Sequence, residues 1–200
     1  MALSTITNSL GTLANVFNRV DRVLFNDSPI ANNAALGSLA SVHSELPVID
    51  GSVTLNMGEA DVTKVKITTG HDWVSYAQAG ESDIKMQVAS ISTVMNDIFG
   101  DYATTNLGFD VSTSIVKPVD ANSAVSFSGK GYGTKPKKIT GSLIFISQDE
   151  KALIVLPKAE IFATFIAADG DNPAYWNLVI TALANESGAA YYLLNQGAVS

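Results

Sequence analysis

A period of two governs the chain from Pro47 onward. In residues 83–89, Ile84, Met86 and Val88 alternate with Asp83, Lys85 and Gln87, so an extended segment would turn one face to a core and one to water. Residues 52–56 (Ser-Val-Thr-Leu-Asn) have the same β character. Residues 62–68 keep it except for one slip of phase among Val62, Val65 and Ile67, the mark of a bulge or an edge. Further strands are expected near residues 109–116, 124–128, 138–146, 152–156, 158–167, 176–184 and 191–194. Between them stand a polar hairpin, Gln148-Asp149-Glu150-Lys151, and a longer connection, Asp169-Gly170-Asp171-Asn172-Pro173, both rich in turn-forming residues. The predicted fold is mainly β, an antiparallel sandwich or barrel with one short flanking helix and long arms or loops.

That helix follows residues 83–89. Ser90 or Ser92 can accept from the free N–H groups of a first turn, Ile91, Val94, Met95 and Ile98 recur at helical spacing, and Gly100 ends the run. A helix this short is marginal alone and has to pack its stripe on the sheet. Residues 1–47 differ in texture, being rich in Ala, Asn, Ser and Leu. There Leu13, Phe17, Val20 and Leu24 have helix-like spacing, while Asn32-Asn33-Ala34-Ala35 and Gly37-Ser38 look like an arm or loop. Such a segment either orders against a neighbouring subunit or packs on its own domain. The chain is thus divided into an N-terminal arm, residues 1–47, possibly helical and inter-subunit, and a β domain, residues 48–200.

Composition bears on partners. Only 16% of the 200 residues are charged, against roughly 25% in an ordinary soluble domain, and mean hydropathy is +0.21. A monomer would have to show apolar surface, and association with copies of itself would cover it. No apolar run approaches the length of about 20 residues that spans a bilayer, so membrane insertion is not expected. Residues 1–18 carry no Lys or Arg and no continuous apolar core, unlike a signal peptide, which points to the cytoplasm of the producing cell. The net charge of −7 and pI near 4.6 oppose tight binding of nucleic acid. They remain compatible with a conduit for DNA, whose wall must not stick to its cargo.

Residues that might carry chemistry do not converge. Gly129-Lys130-Gly131-Tyr132-Gly133-Thr134-Lys135-Pro136-Lys137-Lys138 has the glycines and lysines of a phosphate cradle, but Pro136 and β-like residues follow where a phosphate loop needs a helix. The stretch reads as an exposed loop holding four of the twelve basic residues. Lys130, Tyr132, Lys135, Lys137 and Lys138 are candidates for contact with an acidic patch of another subunit, or else a solvated hairpin tip. Asp169, Asp171 and Asn172 have the alternation of a calcium loop without its closing Glu, and read as a turn. Two histidines, His43 and His71, are too few for a histidine-built zinc site, and neither lies in a pattern that marks a triad. No cofactor and no enzymatic activity are expected. Trp73, Tyr132, Tyr175, Trp176, Tyr191 and Tyr192 are either interface anchors or core.

The order of these elements resembles the tail tube proteins of bacteriophages, which are related to the tubes of contractile injection systems. The strand Gly51-Ser52-Val53-Thr54-Leu55, the acidic bend Glu59-Ala60-Asp61-Val62-Thr63, the alternation from Ile84 to Val88 and the helix closing in Met95-Asn96-Asp97-Ile98-Phe99-Gly100 are similar to the front half of that family. The stretch Ala152-Leu153-Ile154-Val155-Leu156-Pro157-Lys158-Ala159-Glu160-Ile161-Phe162, then Asp171-Asn172-Pro173 and the residues from Trp176 to Leu183, are similar to its closing strands. From first to last they span about two-thirds of the chain. The resemblance implies a virion protein that forms rings, usually hexamers, whose sheets join into an inner barrel. The rings stack into a hollow tube through which DNA passes without specific binding, beside other tail proteins. Residues 1–47 depart from the shortest members of the family. The alternatives are a tail-completion or tube component of another phage-like injection machine, and a β-sandwich module that binds carbohydrate or another ligand.

Overall fold

The computed structural model describes residues 17–36, 43–66, 68–70, 72–80, 82–90, 93–100, 111–117, 120–129 and 131–196. In chain order the elements are β1 (Val20–Asn26), β2 (Ser44–Leu46), β3 (Thr54–Asn56), β4 (Ala60–Lys66), β5 (Asp72–Ala79), β6 (Asp83–Ala89), α1 (Thr93–Phe99), β7 (Val111–Lys117), β8 (Asp120–Gly129), β9 (Lys137–Ser147), β10 (Ala152–Ile166), β11 (Tyr175–Leu183) and β12 (Tyr192–Asn195). The fold is mainly antiparallel β with one short helix, as the alternation predicts. Eight strands form one sheet in the order β2-β1-β9-β10-β11-β6-β3, with β12 also paired to β10, while β4-β5 and β7-β8 are separate two-stranded hairpins.

The large sheet closes on itself. After β2 pairs with β1 through Leu46 and Val23, the chain crosses to β6, where Val48 bridges Val88. Ile49 N donates to Gln87 O at 2.8 Å and Ala89 N to Pro47 O at 2.9 Å. Ser52 secures this seam, its hydroxyl donating to Ile49 O at 2.6 Å and accepting from Gln87 N at 3.1 Å. Pairing therefore runs from β1 through β9, β10, β11 and β6 back to the segment that continues β2. Closure of this kind removes open edges along most of the ring.

Inside lie Val23 and Phe25 of β1, Ile84, Met86 and Val88 of β6, Leu143 and Phe145 of β9, Leu156, Ala159, Ile161 and Ala163 of β10, and Trp176, Leu178 and Ile180 of β11. The helix closes over this core with Phe99, which is fully buried between Phe25 and Trp176, each ring centroid 6.3 Å away. On the opposite face of β9 and β10 a second cluster gathers Ile30, Ile144 and Val155, with Leu24, Ile146, Leu153, Tyr192 and Leu194 against it. The run Leu143-Ile144-Phe145-Ile146 thus feeds both cores in turn. A central strand covered on both faces is apolar at every position.

Two expectations are corrected here. Residues 158–167 were expected to form a strand distinct from residues 152–156, yet β10 runs unbroken through Pro157. Leu156 pairs with Leu143 and Ala159 with Gly141, so β10 spends three residues where β9 spends two. This bulge accommodates a proline that has no N–H to donate. It also changes the phase, which keeps Leu156, Ala159 and Ile161 on the same inner face. The helical spacing of Val20 and Leu24 likewise gives way to β1, paired along β9 from Val20 to Asn26. Val23 and Phe25 serve one core and Leu24 the other, so the strand lacks the clean alternation that would reveal it. Part of the segment before Pro47 is therefore built into the sheet. Leu13, Ile91 and Ser92 lie outside the described residues.

Other expectations hold with adjustments. The hairpin at residues 148–151 joins β9 to β10; the buried Ser147 hydroxyl donates to Asp149 at 2.6 Å and accepts from Ala152 N at 3.0 Å. That hydrogen bond from Ser147, with Lys151 N–H, holds the Asp149 carboxyl below its ordinary pKa. Residues 169–173 form a turn in which Asp169 and Asn172 exchange backbone hydrogen bonds of 3.2 and 3.0 Å. Gly141 sits where any Cβ would lie 2.3 Å from Asn26 O and 2.8 Å from the Phe25 ring, so only glycine lets β1 and β9 approach this closely. Among the described residues no helix is long and apolar enough to cross a membrane.

The second core is tied down by one buried amide. Asn185 Oδ1 accepts from Ser187 N at 3.0 Å and Ala189 N at 3.1 Å, and its Nδ2 donates to the Tyr192 hydroxyl at 2.9 Å. Removing it takes the partner away from two loop N–H groups and the Tyr192 hydroxyl. Asn185→Ala is expected to cost about 2 kcal/mol, read in a melting experiment as a fall of roughly 4–8 °C in Tm.

Candidate assembly surface

The β4–β5 hairpin forms a two-stranded sheet separate from the large one, with a ladder from Ala60 opposite Ala79 to Lys66 opposite Asp72. The register slips between Val65 and Lys66, the irregularity that the broken alternation of residues 62–68 predicts. Side chains alternate across the ribbon, so Val62 and Lys64 share one face with Ala77 and Ser75. The other face holds Thr63, Val65, Val74 and Tyr76. Both faces expose apolar side chains: Val62 is 54% exposed on one, Val74 45% and Tyr76 50% on the other. An isolated two-stranded ribbon is at best marginally stable in water, and here Val62, Val74 and Tyr76 each leave about half of their surface uncovered.

A second exposed apolar feature lies on the outer face of the barrel. Lys138, Phe162, Val179 and Lys85 are successive cross-strand neighbours on β9, β10, β11 and β6. Phe162 and Val179 are 38% and 41% exposed. Lys138 is drawn along the face to Glu160 at 2.7 Å, and Lys85 to Asp83 at 2.8 Å. The row thus shows an apolar centre between charges already paired within the subunit. Exposed pairs of this kind add little to stability. β12 offers a further edge, where Leu193 is 65% exposed.

The predicted contact loop lies against α1. The Tyr132 hydroxyl donates to Asp97 Oδ1 at 2.9 Å and Lys137 Nζ to Asp97 O at 3.1 Å, so both are enlisted in holding the helix. A Cβ on Gly100 would come within 2.3 Å of the Tyr132 ring, which shows how closely loop and helix pack. Lys138 belongs to the outer row, Lys135 is exposed, and Lys130 lies outside the described residues. Beside the loop a cleft of about 480 Å³ is lined by Tyr132, Lys135, Pro136, Phe165 and Trp176. Its floor is fixed by Trp176 Nε1, which donates to Asn96 Oδ1 at 2.8 Å; the Ser90 hydroxyl donates to the same oxygen at 2.7 Å. Ser90 is thereby engaged with a side chain inside the helix.

Of the aromatic candidates, Trp176 is core and Tyr191 is exposed, while Tyr192 is half-buried in the second cluster. One serine and histidine do meet. His43 Nε2 lies 3.1 Å from Ser142 Oγ, but that hydroxyl donates to Ser28 O at 2.9 Å. The histidine nitrogen must therefore donate to the serine, the reverse of a base that activates a nucleophile. The hairpin partner strand, residues 72–79, is missing from the strands expected from sequence. The β-formers Trp73, Val74 and Tyr76 between Gly70 and Gly80 were the available signal. No protein-family model matches the chain, and no characterised protein matches its sequence.

Proposed function

We propose that this chain is a structural subunit that assembles with copies of itself into stacked rings, as in the tail tube of a bacteriophage. The observation that carries the reading is the β4–β5 hairpin, whose two faces both expose valine and whose ladder stands apart from the barrel. A two-stranded ribbon that exposes apolar side chains on both faces is suited to pack on the next subunit. The outer row of Phe162 and Val179 and the open edge at β12 support the same reading, as does a charged content of 16%. A hexameric ring and a lumen that passes DNA without gripping it follow from the resemblance and agree with the net charge of −7. Assembly would take place in the host cytoplasm and the product would be part of the virion. The experiment is negative-stain microscopy of the purified full chain over a range of concentrations. Rings or hollow filaments are expected, and monodisperse monomers at every concentration would overturn the proposal.

A second reading, a ligand-binding module, draws on the cleft of about 480 Å³ with the exposed Phe165 at its wall. Ligand-dependent thermal stabilisation without assembly would favour it.

A further inference from the structure

The β4–β5 ribbon and the cleft beside α1 belong to opposite ends of the barrel. β6 has seven residues, so its ends stand about 20 Å apart. At its first residue Asp83 pairs with Asn56 of β3, and there the chain leaves both strands for the ribbon. Near its last residue Val88 pairs with Trp176, which pairs in turn with Phe165, and α1 follows. Trp176 and Phe165, with ring centroids 5.1 Å apart, form a wall of the cleft of about 480 Å³. Its lining is mainly apolar and includes no residue of the ribbon.

One face of the ribbon has the chemistry to fill that cleft. Asp61 stands opposite Gln78, Thr63 opposite Tyr76 and Val65 opposite Val74. This face therefore carries an exposed tyrosine and two exposed valines with a single charge, the carboxylate of Asp61. The cleft offers the half-exposed Phe165 and Pro136 for apolar contact, and the exposed ammonium of Lys135 among its lining groups. A tyrosine seated in an apolar pocket is a common anchor between proteins. Opposite charges favour this face over the other, where Lys64 would meet Lys135.

We propose that the face of the ribbon holding Val65, Val74 and Tyr76 docks in the cleft of a second copy of this chain, with Tyr76 against Phe165 and Pro136 and Asp61 paired with Lys135. Donor and acceptor sit at opposite ends of one barrel, so each copy can engage one neighbour at either end. The contact is heterologous and propagates from copy to copy, where a self-complementary one would stop at a dimer. This rests on the assembly proposed above and names the contact between successive rings.

The chain contains no cysteine, so introduced thiols report this contact alone. Gln78→Cys lies on the docking face and Thr134→Cys on the cleft. In assembled particles a short bismaleimide should link the double variant into a ladder of dimers, trimers and longer chains on a denaturing gel, and leave each single variant monomeric. Particles that form without the ladder would overturn the docking and leave the assembly standing, while a chain that never assembles would overturn both. Charge reversal gives a second readout. Asp61→Lys and Lys135→Asp should each raise the concentration needed for assembly at least about tenfold, and together should return it to within about threefold of the original. Losses that simply multiply in the double variant would overturn the proposal.

Discussion

Phe99→Ala is expected to destabilise the fold by about 3–5 kcal/mol, a large share of the roughly 5–15 kcal/mol that a domain has to lose. Phe99 is fully buried, with Phe25 and Trp176 both 6.3 Å from its ring centre. Deleting the ring leaves a hole among strands held by the closed barrel, which cannot collapse far to fill it. The helix would lose its main anchor as well, since seven residues do not hold helical structure unaided. Met95 and Ile98 are only half-buried, so Met95→Ala should cost distinctly less. Urea denaturation of the two variants measures the difference: the midpoint should fall much further for Phe99→Ala, with the slope unchanged. Equal midpoints would mean that α1 is not anchored through Phe99.

Val74→Asp combined with Tyr76→Asp should leave the isolated subunit about as stable as before and abolish assembly. Both side chains are about half exposed within the chain, and substitutions at such positions usually move stability by no more than about 0.5 kcal/mol. In an assembled particle the same positions would be buried, where losing two large apolar side chains and inserting two charges costs at least about 4 kcal/mol per contact. That corresponds to an association on the order of a thousandfold weaker. Thermal melting and sedimentation of the variant separate the two effects. A particle that still forms would show that the hairpin lies outside the contacts between subunits.

The alternation of Ile84, Met86 and Val88 announced β6 because that strand has one face inward and one face outward, and the turns at residues 148–151 and 169–173 were legible from local chemistry. β1 was not legible: Val23 and Phe25 serve one core and Leu24 the other, so period two vanished and a helical spacing took its place by coincidence. Pro157 misled for a related reason, since a bulge that absorbs a proline depends on the register of β9 and not on any neighbour in sequence. The candidate surface was the least legible part. Val62, Val74 and Tyr76 look like core β-formers in sequence, and only the separate pairing of β4 with β5 and their exposure show that they lie at the surface. The lysines near residue 135 stood out by composition, yet Lys137 and Tyr132 turn out to hold α1.

β9 and β10 supply alternate residues to cores on opposite faces of one sheet. Melting the cluster around Ile144 and Val155 would uncover the back of the strands that carry Leu143 and Leu156, so neither cluster can come undone while the other stays intact. The barrel should therefore lose its structure as one cooperative unit in spite of having two interiors, with the β4–β5 ribbon, which shares neither, free to fray ahead of it.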